Sequence, residues 1–273
     1  MSDIKRACVI GWPIKHSRSP LIHGYWIKQH GLNADYRREE VPPDQFEAFI
    51  KSLPAHGYVG ANITIPHKEA ALAASEPDDR ARAVGAANTL WLDDGRLRST
   101  NTDVEGFIDN LDAAVPYWDR DDGEAVVLGA GGSSCAIVYG LIERGFETIH
   151  VVNRTLDRAQ ALRERFGSAV QPANTTALPH LLKRAGLLVN TTSLGMTGQP
   201  PLEIDLVSMH GSAVVADLVY APLDTGLLAA ARKRGLRTAD GLGMLLHQAV
   251  RGLDRKSTRL NSSHIPLSRM PSS

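Results

Sequence analysis

The sequence predicts an α/β protein with two domains, the second built around a doubly wound parallel sheet. Three observations favour this fold. The chain has 273 residues, which is about the length of two domains. Short apolar runs alternate with helical patterns, as in βαβ units. A glycine-rich run at residues 129–134 follows a predicted strand and opens a predicted helix, a context typical of Rossmann-type nucleotide-binding turns.

Composition and charge are those of an ordinary globular protein. Lys+Arg and Asp+Glu number 30 each, so the formal net charge is zero, which argues against a nucleic-acid partner. Cys8 and Cys135 lie far apart and form no CxxC pair, so we expect neither a disulfide framework nor a cysteine metal site. The first apolar run is too short for a signal peptide, and no apolar stretch approaches about 18 residues, so we expect a cytoplasmic protein without a membrane segment.

The first part of the chain predicts a mixture of strands and helices. Strands are expected at residues 7–11, 35–41, 58–65, 88–93 and 96–101. Asp94-Gly95 joins the last two strands and is a strong signal for a β-hairpin. Helices are expected at residues 19–31, 43–53, 66–74 and 103–111, the first with Ser19 as its N-cap.

The second part begins after a polar, turn-rich segment at residues 116–124, the predicted domain boundary. Strands are expected at residues 125–128, 148–152, 169–171, 187–190, 214–217 and 236–238. Helices are expected between them at residues 133–144, 156–166, 177–185 and 224–234. We interpret residues 254–273, which have six serines and no helical or strand period, as a non-native or disordered tail.

The glycine-rich run and the strand after it predict the cofactor. Gly129 permits a tight turn, while Gly131 and Gly132 let the backbone approach a pyrophosphate at a helix N-terminus. Ser134 stands where the fingerprint has its third glycine, so the motif is a variant, and the alternative is a tight turn without a ligand. Arg154 occupies the place where an NAD site carries Asp or Glu, so NADP is favoured over NAD.

Two polar segments supply candidates for the chemistry. Strand alternation puts Asn62 and Thr64 on one face, and Lys68 then falls at a helix start, where the helix dipole disfavours a cation. Asp103 falls at the start of another helix. Spacing alone favours a solvated cation for Lys68 and a plain helix N-cap for Asp103.

Eight motifs, in order from about residue 7 to residue 252, resemble those of the shikimate dehydrogenase family. They are GWPIKHSRSP (11–20), NITIPHKE (62–69), GAANTL (85–90), NTD (101–103) with Gly106, GAGGSS (129–134) with NRT (153–155), NTTSLGM (190–196), DLVYAP (217–222) and DGLGMLLHQ (240–248). The resemblance implies a substrate-binding and catalytic domain over residues 1–110, completed by residues 241–252, and an NADP-binding Rossmann domain over residues 111–240. It also implies a cleft between the two α/β domains.

The resemblance implies reversible NADPH-dependent reduction of 3-dehydroshikimate to shikimate, in aromatic amino-acid biosynthesis. It assigns catalysis to Lys68 and Asp103, because an ammonium can protonate the alkoxide that hydride transfer creates and a carboxylate can orient it. It assigns substrate binding to Ser17, Ser19, Thr64, Asn88, Tyr220 and Gln248. It assigns cofactor binding to Gly129, Ala130, Gly131, Gly132, Ser133, Ser134, Asn153, Arg154, Thr155, Val219, Gly241 and Met244.

Two alternatives remain at this point. One is a quinate/shikimate dehydrogenase that uses NAD, against which Arg154 argues. The other is an NADP-binding regulator without turnover, against which the intact pair of Lys68 and Asp103 argues. We expect a small-molecule substrate, no metal, and either a monomer or a homodimer.

Overall fold

The structure, a computed structural model, describes the backbone of residues 4–120 and 123–260 and the side chains as far as residue 252. The chain divides into two compact units. One unit contains the chain up to Ala81, Ala87–Thr100 and the chain from Ala249 onward. The other contains Arg82–Ala86 and Asn101–Gln248.

The first unit is built on a mixed six-stranded sheet. Its strands are β1 (Lys5–Gly11), β2 (Ala34–Glu40), β3 (Tyr58–Ile63), β4 (Glu76–Pro77), β5 (Thr89–Asp93) and β6 (Arg96–Thr100). The spatial order is β2-β1-β3-β5-β6-β4. β1 runs parallel to β2 and β3, whereas β5 runs antiparallel to β3 and β6. The predicted hairpin between β5 and β6 is confirmed, with Asp94 and Gly95 both at positive φ.

Four helices and a 3-10 turn connect these strands. They are α1 (Ser19–Gln29), the 3-10 turn Pro43–Gln45, α2 (Phe46–Lys51) and α3 (Lys68–Ala73), and α4 (Asp79–Val84) follows β4. Side chains of β1 alternate between the faces of the sheet, so that Ile10 packs with Phe46 while Val9 packs with Tyr36. The sheet is therefore covered on both faces around β1, which fixes the position of its carboxyl end.

The start of α1 differs from the prediction. Ser19 is not the N-cap, because Arg18 occupies that position and Ser19 is the first helical residue. The Ser19 backbone N–H donates to Ser17 Oγ at 3.4 Å. The Ser17 hydroxyl, which lies outside the helix, therefore accepts from the first helical N–H.

The second unit is built on a parallel six-stranded sheet, as predicted. Its strands are β7 (Glu124–Leu128), β8 (Ile149–Val152), β9 (Val170–Ala173), β10 (Ala185–Asn190), β11 (Val214–Asp217) and β12 (Arg237–Ala239). The order is β12-β11-β10-β7-β8-β9, with every neighbouring pair parallel. The order reverses between β7 and β10, which is the switch point of a Rossmann-type fold, where ligands bind outside the carboxyl ends of the strands.

The helices of this unit complete the doubly wound arrangement. They are α5 (Asp103–Ala114), α6 (Gly132–Glu143), α7 (Leu156–Phe166), α8 (Leu178–Leu181) with a preceding 3-10 turn (Thr175–Ala177), α9 (Gly226–Lys233) and the first part of α10 (Gly241–Leu260). From Ala249 onward α10 belongs to the first unit. Two apolar clusters cover the two faces of the sheet: Val127 packs with Ile137, and Val126 packs with Leu228. Burial on both faces explains why these strands read as continuous apolar runs.

The C-terminal helix extends into the segment interpreted from the sequence as a tail. α10 runs through Leu260, so the helix continues into residues 254–260, the start of the segment interpreted as a non-native or disordered tail. These residues lack an apolar period, but they include no Gly or Pro, so a helix already formed can propagate through them. Residues 261–273, the rest of the predicted tail, lie outside the described residues. Among the helices that the structure describes, none is both long and apolar enough to cross a membrane.

Candidate active site

In the first unit, the chain segments that follow β1 and β3 lie side by side. The Thr64 N–H donates to Ile10 O at 2.9 Å, and the Trp12 N–H donates to Ile65 O at 3.0 Å. A Cβ at Gly11 would lie 2.5 Å from Thr64 Cγ2, so only glycine fits there without a shift. This pairing places Thr64 beside the loop that begins at Gly11.

That loop holds Ser17 and Ser19 in one turn. The Ser17 N–H donates to Ile14 O at 3.0 Å. Arg38 of β2 donates to Ser17 O from Nε at 3.0 Å and from Nη2 at 2.7 Å. Ser19 is buried and Ser17 is half-buried. The two serines thus lie two residues apart on a turn that a guanidinium anchors to the sheet.

Lys68 and Asn88 meet at the carboxyl end of β3. Lys68 is the first residue of α3 and is buried, so the interpretation as a solvated cation is wrong. The Ala87 N–H donates to Lys68 O at 2.9 Å, and the Ile63 N–H donates to Asn88 O at 2.8 Å. The first unit therefore brings Lys68 and Asn88 together beside Thr64, which follows Ile63 in the chain.

His67 packs under the start of the same helix. Its ring stacks on Phe46 with centroids 4.4 Å apart, and its Nε2–H donates to Val41 O at 2.7 Å. Burial lowers the pKa of His67 below its ordinary value of 6.5, while the hydrogen bond to Val41 opposes that shift. His67 is therefore neutral at neutral pH and adds no positive charge next to Lys68.

In the second unit, Asp103 begins α5. Its N–H donates to Asn101 Oδ1 at 3.0 Å, and Asn101 Nδ2 donates to Ala86 O at 2.9 Å. Thr102 is the N-cap of this helix, so the interpretation of Asp103 as a plain N-cap is wrong. Asp103 is instead a buried carboxylate on the first turn.

Gln248 of α10 lies against the same turn of α5. Thr102 Oγ1 donates to Gln248 Oε1 at 3.5 Å, and Gln248 Nε2 donates to Leu245 O at 3.0 Å. A Cβ at Gly106 would lie 2.6 Å from Gln248 Cβ, so the glycine lets the two helices approach closely. The second unit thereby brings Asp103 and Gln248 together.

The turn between β7 and α6 has room for a phosphate-bearing ligand. Gly129 has φ +101°, and a Cβ there would lie 2.8 Å from Thr191 Oγ1, so the backbone and the space both require glycine. Gly131 has an extended conformation that any residue can adopt, and a Cβ there would meet no atom within 4 Å. The open space at Gly131, before a 12-residue helix, fits the pyrophosphate of a dinucleotide.

Hydroxyl groups tie this turn to β10. The Gly131 N–H donates to Ser134 Oγ at 3.0 Å, Ser134 Oγ lies 2.8 Å from Thr191 Oγ1, and Thr191 Oγ1 donates to Leu128 O at 2.7 Å. A hydroxyl carries one hydrogen, and Thr191 uses its own on Leu128 O, so Ser134 is the donor to Thr191. The sequence showed Ser134 as a variant fingerprint position, but not the role of its hydroxyl.

The segment with Arg154 follows β8 beside the glycine-rich turn. The Gly129 N–H donates to Val152 O at 2.9 Å, and Asn153 Nδ2 donates to Thr155 O at 2.7 Å. Arg154 is exposed between them, and Thr155 is the N-cap of α7. An exposed guanidinium at this strand end fits a ribose 2′-phosphate.

Asp217 organises the loop that carries Val219 and Tyr220. Its Oδ1 accepts from Asn190 Nδ2 at 2.9 Å and from the Val219 N–H at 3.0 Å, and its Oδ2 accepts from Thr225 Oγ1 at 2.7 Å. Burial raises the pKa of Asp217 above its ordinary value, while these three hydrogen bonds oppose the shift. The motif DLVYAP begins at Asp217, but sequence reasoning gave this residue no role, although a carboxylate that ends an apolar strand is a usable signal.

The start of α10 packs against the same loop. A Cβ at Gly241 would lie 2.3 Å from Leu218 O and 2.7 Å from Val219 O. Met244, one turn later, is buried. The predicted cofactor-binding residues Val219, Gly241 and Met244 therefore lie on two segments, the loop after β11 and the start of α10, which are in contact.

The comparisons with known proteins follow the same division of the chain. The sequence profile of the shikimate dehydrogenase substrate binding domain matches residues 9–90, and that of shikimate / quinate 5-dehydrogenase matches residues 115–197. A shikimate dehydrogenase (NADP(+)) of Nitrobacter hamburgensis is 66% identical over 92% of this chain and 87% of that protein. The chain belongs to the shikimate dehydrogenase family. The family predicted from the motifs is confirmed.

Solved members of the shikimate dehydrogenase family have the same fold. One from Aquifex aeolicus is 30% identical, with a TM-score of 0.85 over 97% of this chain and 96% of that one. One from Thermus thermophilus, in complex with NADP(H) and shikimate, is 34% identical, with a TM-score of 0.83 over 93% of this chain and 94% of that one. A quinate dehydrogenase of Corynebacterium glutamicum in complex with NAD is 30% identical, with a TM-score of 0.83 over 92% of both chains.

Proposed function

We propose that this chain catalyses the reversible NADP-linked reduction of 3-dehydroshikimate to shikimate. The observation that carries the proposal is the 66% identity, over nearly the whole chain, to a relative named shikimate dehydrogenase (NADP(+)). The clustering of Thr64, Lys68 and Asn88 in the first unit supports it, because these residues match the family's motifs and combine a cation with two neutral polar groups.

The second unit would hold the cofactor, which when bound supplies the hydride that reduces the carbonyl carbon. Backbone N–H groups at the start of α6 would hold the pyrophosphate, since the residues from Gly129 to Ser134 form the glycine-rich turn before this helix. Arg154, flanked by Asn153 and Thr155, pairs with the ribose 2′-phosphate and selects NADP. Val219, Gly241 and Met244 line the nicotinamide.

Short polar side chains hold the substrate. The hydroxyls of Ser17 and Ser19 bind its carboxylate, because both lie on one anchored turn. Thr64, Asn88 and Gln248 take its ring hydroxyls, and Tyr220 is a further contact. Such a set discriminates between small polyols because a wrong ligand leaves buried donors or acceptors unpaired.

Lys68 is the proton donor for the reaction. As the carbonyl is reduced, its oxygen gains negative charge and takes a proton from Lys68 Nζ; in the oxidation direction the amine takes that proton back. Burial of Lys68 keeps water from competing for this transfer. Asp103 accepts hydrogen bonds from the ammonium and from a substrate hydroxyl, and so orients both.

The direct test is the rate of NADPH formation by the purified chain with shikimate and NADP⁺, compared with quinate and with NAD⁺. We expect the highest kcat/KM for shikimate with NADP⁺. The change Lys68→Ala should lower kcat by about 10²–10⁴-fold, whereas the exposed control Lys51→Ala should leave it unchanged. A preference for NAD⁺ would support the quinate-type alternative, and full activity of Lys68→Ala would refute the assigned chemistry.

We also propose a cytoplasmic enzyme that acts as a monomer or homodimer without a nucleic-acid partner. The zero formal net charge supports the last point. Analytical ultracentrifugation of the full chain tests the oligomeric state, and a species larger than a dimer would contradict it.

A further inference from the structure

Four buried polar side chains form a hydrogen-bonded chain through the first unit that ends on Asn88. Tyr36 Oη donates to Asn62 Oδ1 at 2.6 Å. Asn62 Nδ2 donates to Thr89 Oγ1 at 3.3 Å and to Asn88 O at 3.5 Å. Thr89 Oγ1 donates to Asn88 Oδ1 at 3.1 Å. None of the four residues is more than 9% exposed.

The chain of hydrogen bonds has a single direction. A backbone carbonyl only accepts, so Asn62 must turn its Nδ2 toward Asn88 O, which points its Oδ1 at the Tyr36 hydroxyl. The Thr89 hydroxyl accepts from Asn62 and gives its one hydrogen to Asn88 Oδ1. Asn88 therefore turns its Oδ1 toward Thr89 and its Nδ2 away from it.

Packing shields these hydrogen bonds from water. A Cβ at Gly252 of α10 would lie 3.4 Å from Asn62 Nδ2 and 3.6 Å from Thr89 Oγ1, so this glycine covers the pair. His23 stacks on the Tyr36 ring with centroids 4.2 Å apart. Burial raises the pKa of Tyr36 well above its ordinary value, so the phenol keeps the proton that it donates.

The backbone of Asn88 is fixed as well. Its N–H donates to Thr100 O at 3.1 Å, and its carbonyl accepts from the Ile63 N–H at 2.8 Å. The backbone of Asn88 is therefore held on both sides, and its side-chain Oδ1 accepts from the Thr89 hydroxyl at 3.1 Å. A flipped amide would turn its Nδ2 toward the Thr89 hydroxyl, whose hydrogen would then lose Asn88 Oδ1 as its acceptor.

We propose that Asn62 and Thr89 are positioning residues that hold Asn88 in one amide orientation, so that it meets the substrate as a hydrogen-bond donor. The inference rests on the proposed substrate-binding role of Asn88. A donor amide selects a substrate oxygen that can accept, either a hydroxyl or a carbonyl. It disfavours an analogue that carries an ammonium group at the same place, because two donors then face each other.

The test is Thr89→Val, which keeps the side-chain volume and removes the hydroxyl. We expect KM for shikimate to rise about tenfold, as for the loss of one buried partner, with kcat and KM for NADP⁺ within about twofold of wild type. Thr89→Ser should restore KM for shikimate. Thr100→Val is the matched control, because Thr100 is fully buried opposite Thr89 in the hairpin and its Oγ1 has no hydrogen-bond partner among the described residues.

Two results would overturn the inference. Equal KM values for Thr89→Val and Thr100→Val would show that the hydroxyl does not position Asn88. Failure of Thr89→Ser to restore KM would assign the effect to methyl packing instead. If Thr89→Val does not fold, Tyr36→Phe is the second variant, because it removes a single oxygen at the far end of the hydrogen-bonded chain. It should raise KM for shikimate about threefold, and an unchanged KM would also refute the inference.

A measurement without substrate separates this inference from the proposed function. In a double-mutant cycle on the free energy of unfolding, Tyr36→Phe and Thr89→Val should be coupled, whereas Tyr36→Phe and Thr100→Val should be additive. Additivity in both cycles would refute the directional chain even in an active enzyme. If the cycle shows coupling but the wild-type chain does not oxidise shikimate, the proposed function is refuted, and with it the donor role toward this substrate.

Discussion

Replacing Ser134 by alanine should loosen the turn between β7 and α6. The change removes one fully buried oxygen and keeps the Cβ, so the packing of the helix against the sheet is unchanged. The Gly131 N–H loses its acceptor, and Thr191 Oγ1 loses its donor. Thr191 keeps its hydrogen bond to Leu128 O. The perturbation is therefore the loss of two hydrogen bonds from one turn.

The expected magnitude follows from these contacts. Each hydrogen bond contributes about 1 kcal/mol net, and the exposed Gly131 can replace its partner with water. We expect the free energy of unfolding to fall by about 1–2 kcal/mol, and Tm by about 3–6 °C for a unit of this size. Because the turn then spends less time in its binding conformation, KM for NADP⁺ should rise about two- to fivefold.

Thermal denaturation followed by circular dichroism, with steady-state kinetics on the same samples, measures both effects. Ser168→Ala, at an exposed serine elsewhere in the second unit, should change Tm by less than about 1 °C. Ser134→Ala and Thr191→Val should be non-additive by about 1 kcal/mol, because they break one shared hydrogen bond. Additive losses, or an unchanged KM for NADP⁺, would refute the role assigned to the hydroxyl of Ser134.

Three further predictions concern single residues. Arg154→Ala should lower kcat/KM for NADP⁺ by about tenfold or more and leave that for NAD⁺ within about threefold; equal losses would contradict the 2′-phosphate assignment. Gly129→Ala should lower the free energy of unfolding in urea by about 2–4 kcal/mol, because Gly129 has a φ of +101° and the new Cβ would lie 2.8 Å from Thr191 Oγ1. The matched change Gly131→Ala should fold normally, because its Cβ meets no atom within 4 Å, and should raise KM for NADP⁺. Because burial lowers the pKa of His67, the unfolded chain binds a proton at higher pH than the folded one, and the free energy of unfolding should fall as the pH drops below about 6.5. His67→Gln should reduce that loss. A urea midpoint that shifts equally in wild type and His67→Gln between pH 7.5 and pH 5.5 would contradict this prediction.

The parallel sheet was predictable because its strands are buried on both faces. β7 and β11 are almost entirely apolar, so they read as short continuous runs between helical patterns. β4 and α4 were not predicted, since the charged and proline-containing segment from Glu76 to Val84 has no apolar period. The continuation of α10 was missed for the opposite reason, because a helix can outlast the amphipathic pattern that predicts it.

For the candidate site, the motifs identified side chains that match the family, but not the residues that hold them. Strand alternation placed Asn62 on one face with Thr64, yet its hydrogen-bond partner Tyr36 lies on another strand. Asp217 likewise receives its hydrogen bonds from segments far apart in the sequence. Periodicity reports hydrophobicity along one element, and it carries no information about which polar atoms meet between elements.

The two hydrogen-bonded chains share one constraint, which decides which substitutions matter. In each, a backbone carbonyl that can only accept fixes the direction: Leu128 O sets the hydroxyls of Thr191 and Ser134, and Asn88 O sets Asn62 and then Thr89. In the turn, the Gly131 N–H is consumed, so the donors for a phosphate come from the next residues of α6. In the sheet, the Nδ2 of Asn88 is turned away from Thr89. Ligand binding should therefore change more when Ser is replaced by Ala or Thr by Val, because these substitutions remove the hydroxyl. It should change less when Thr is replaced by Ser, because that substitution keeps the hydroxyl hydrogen and loses only a methyl group.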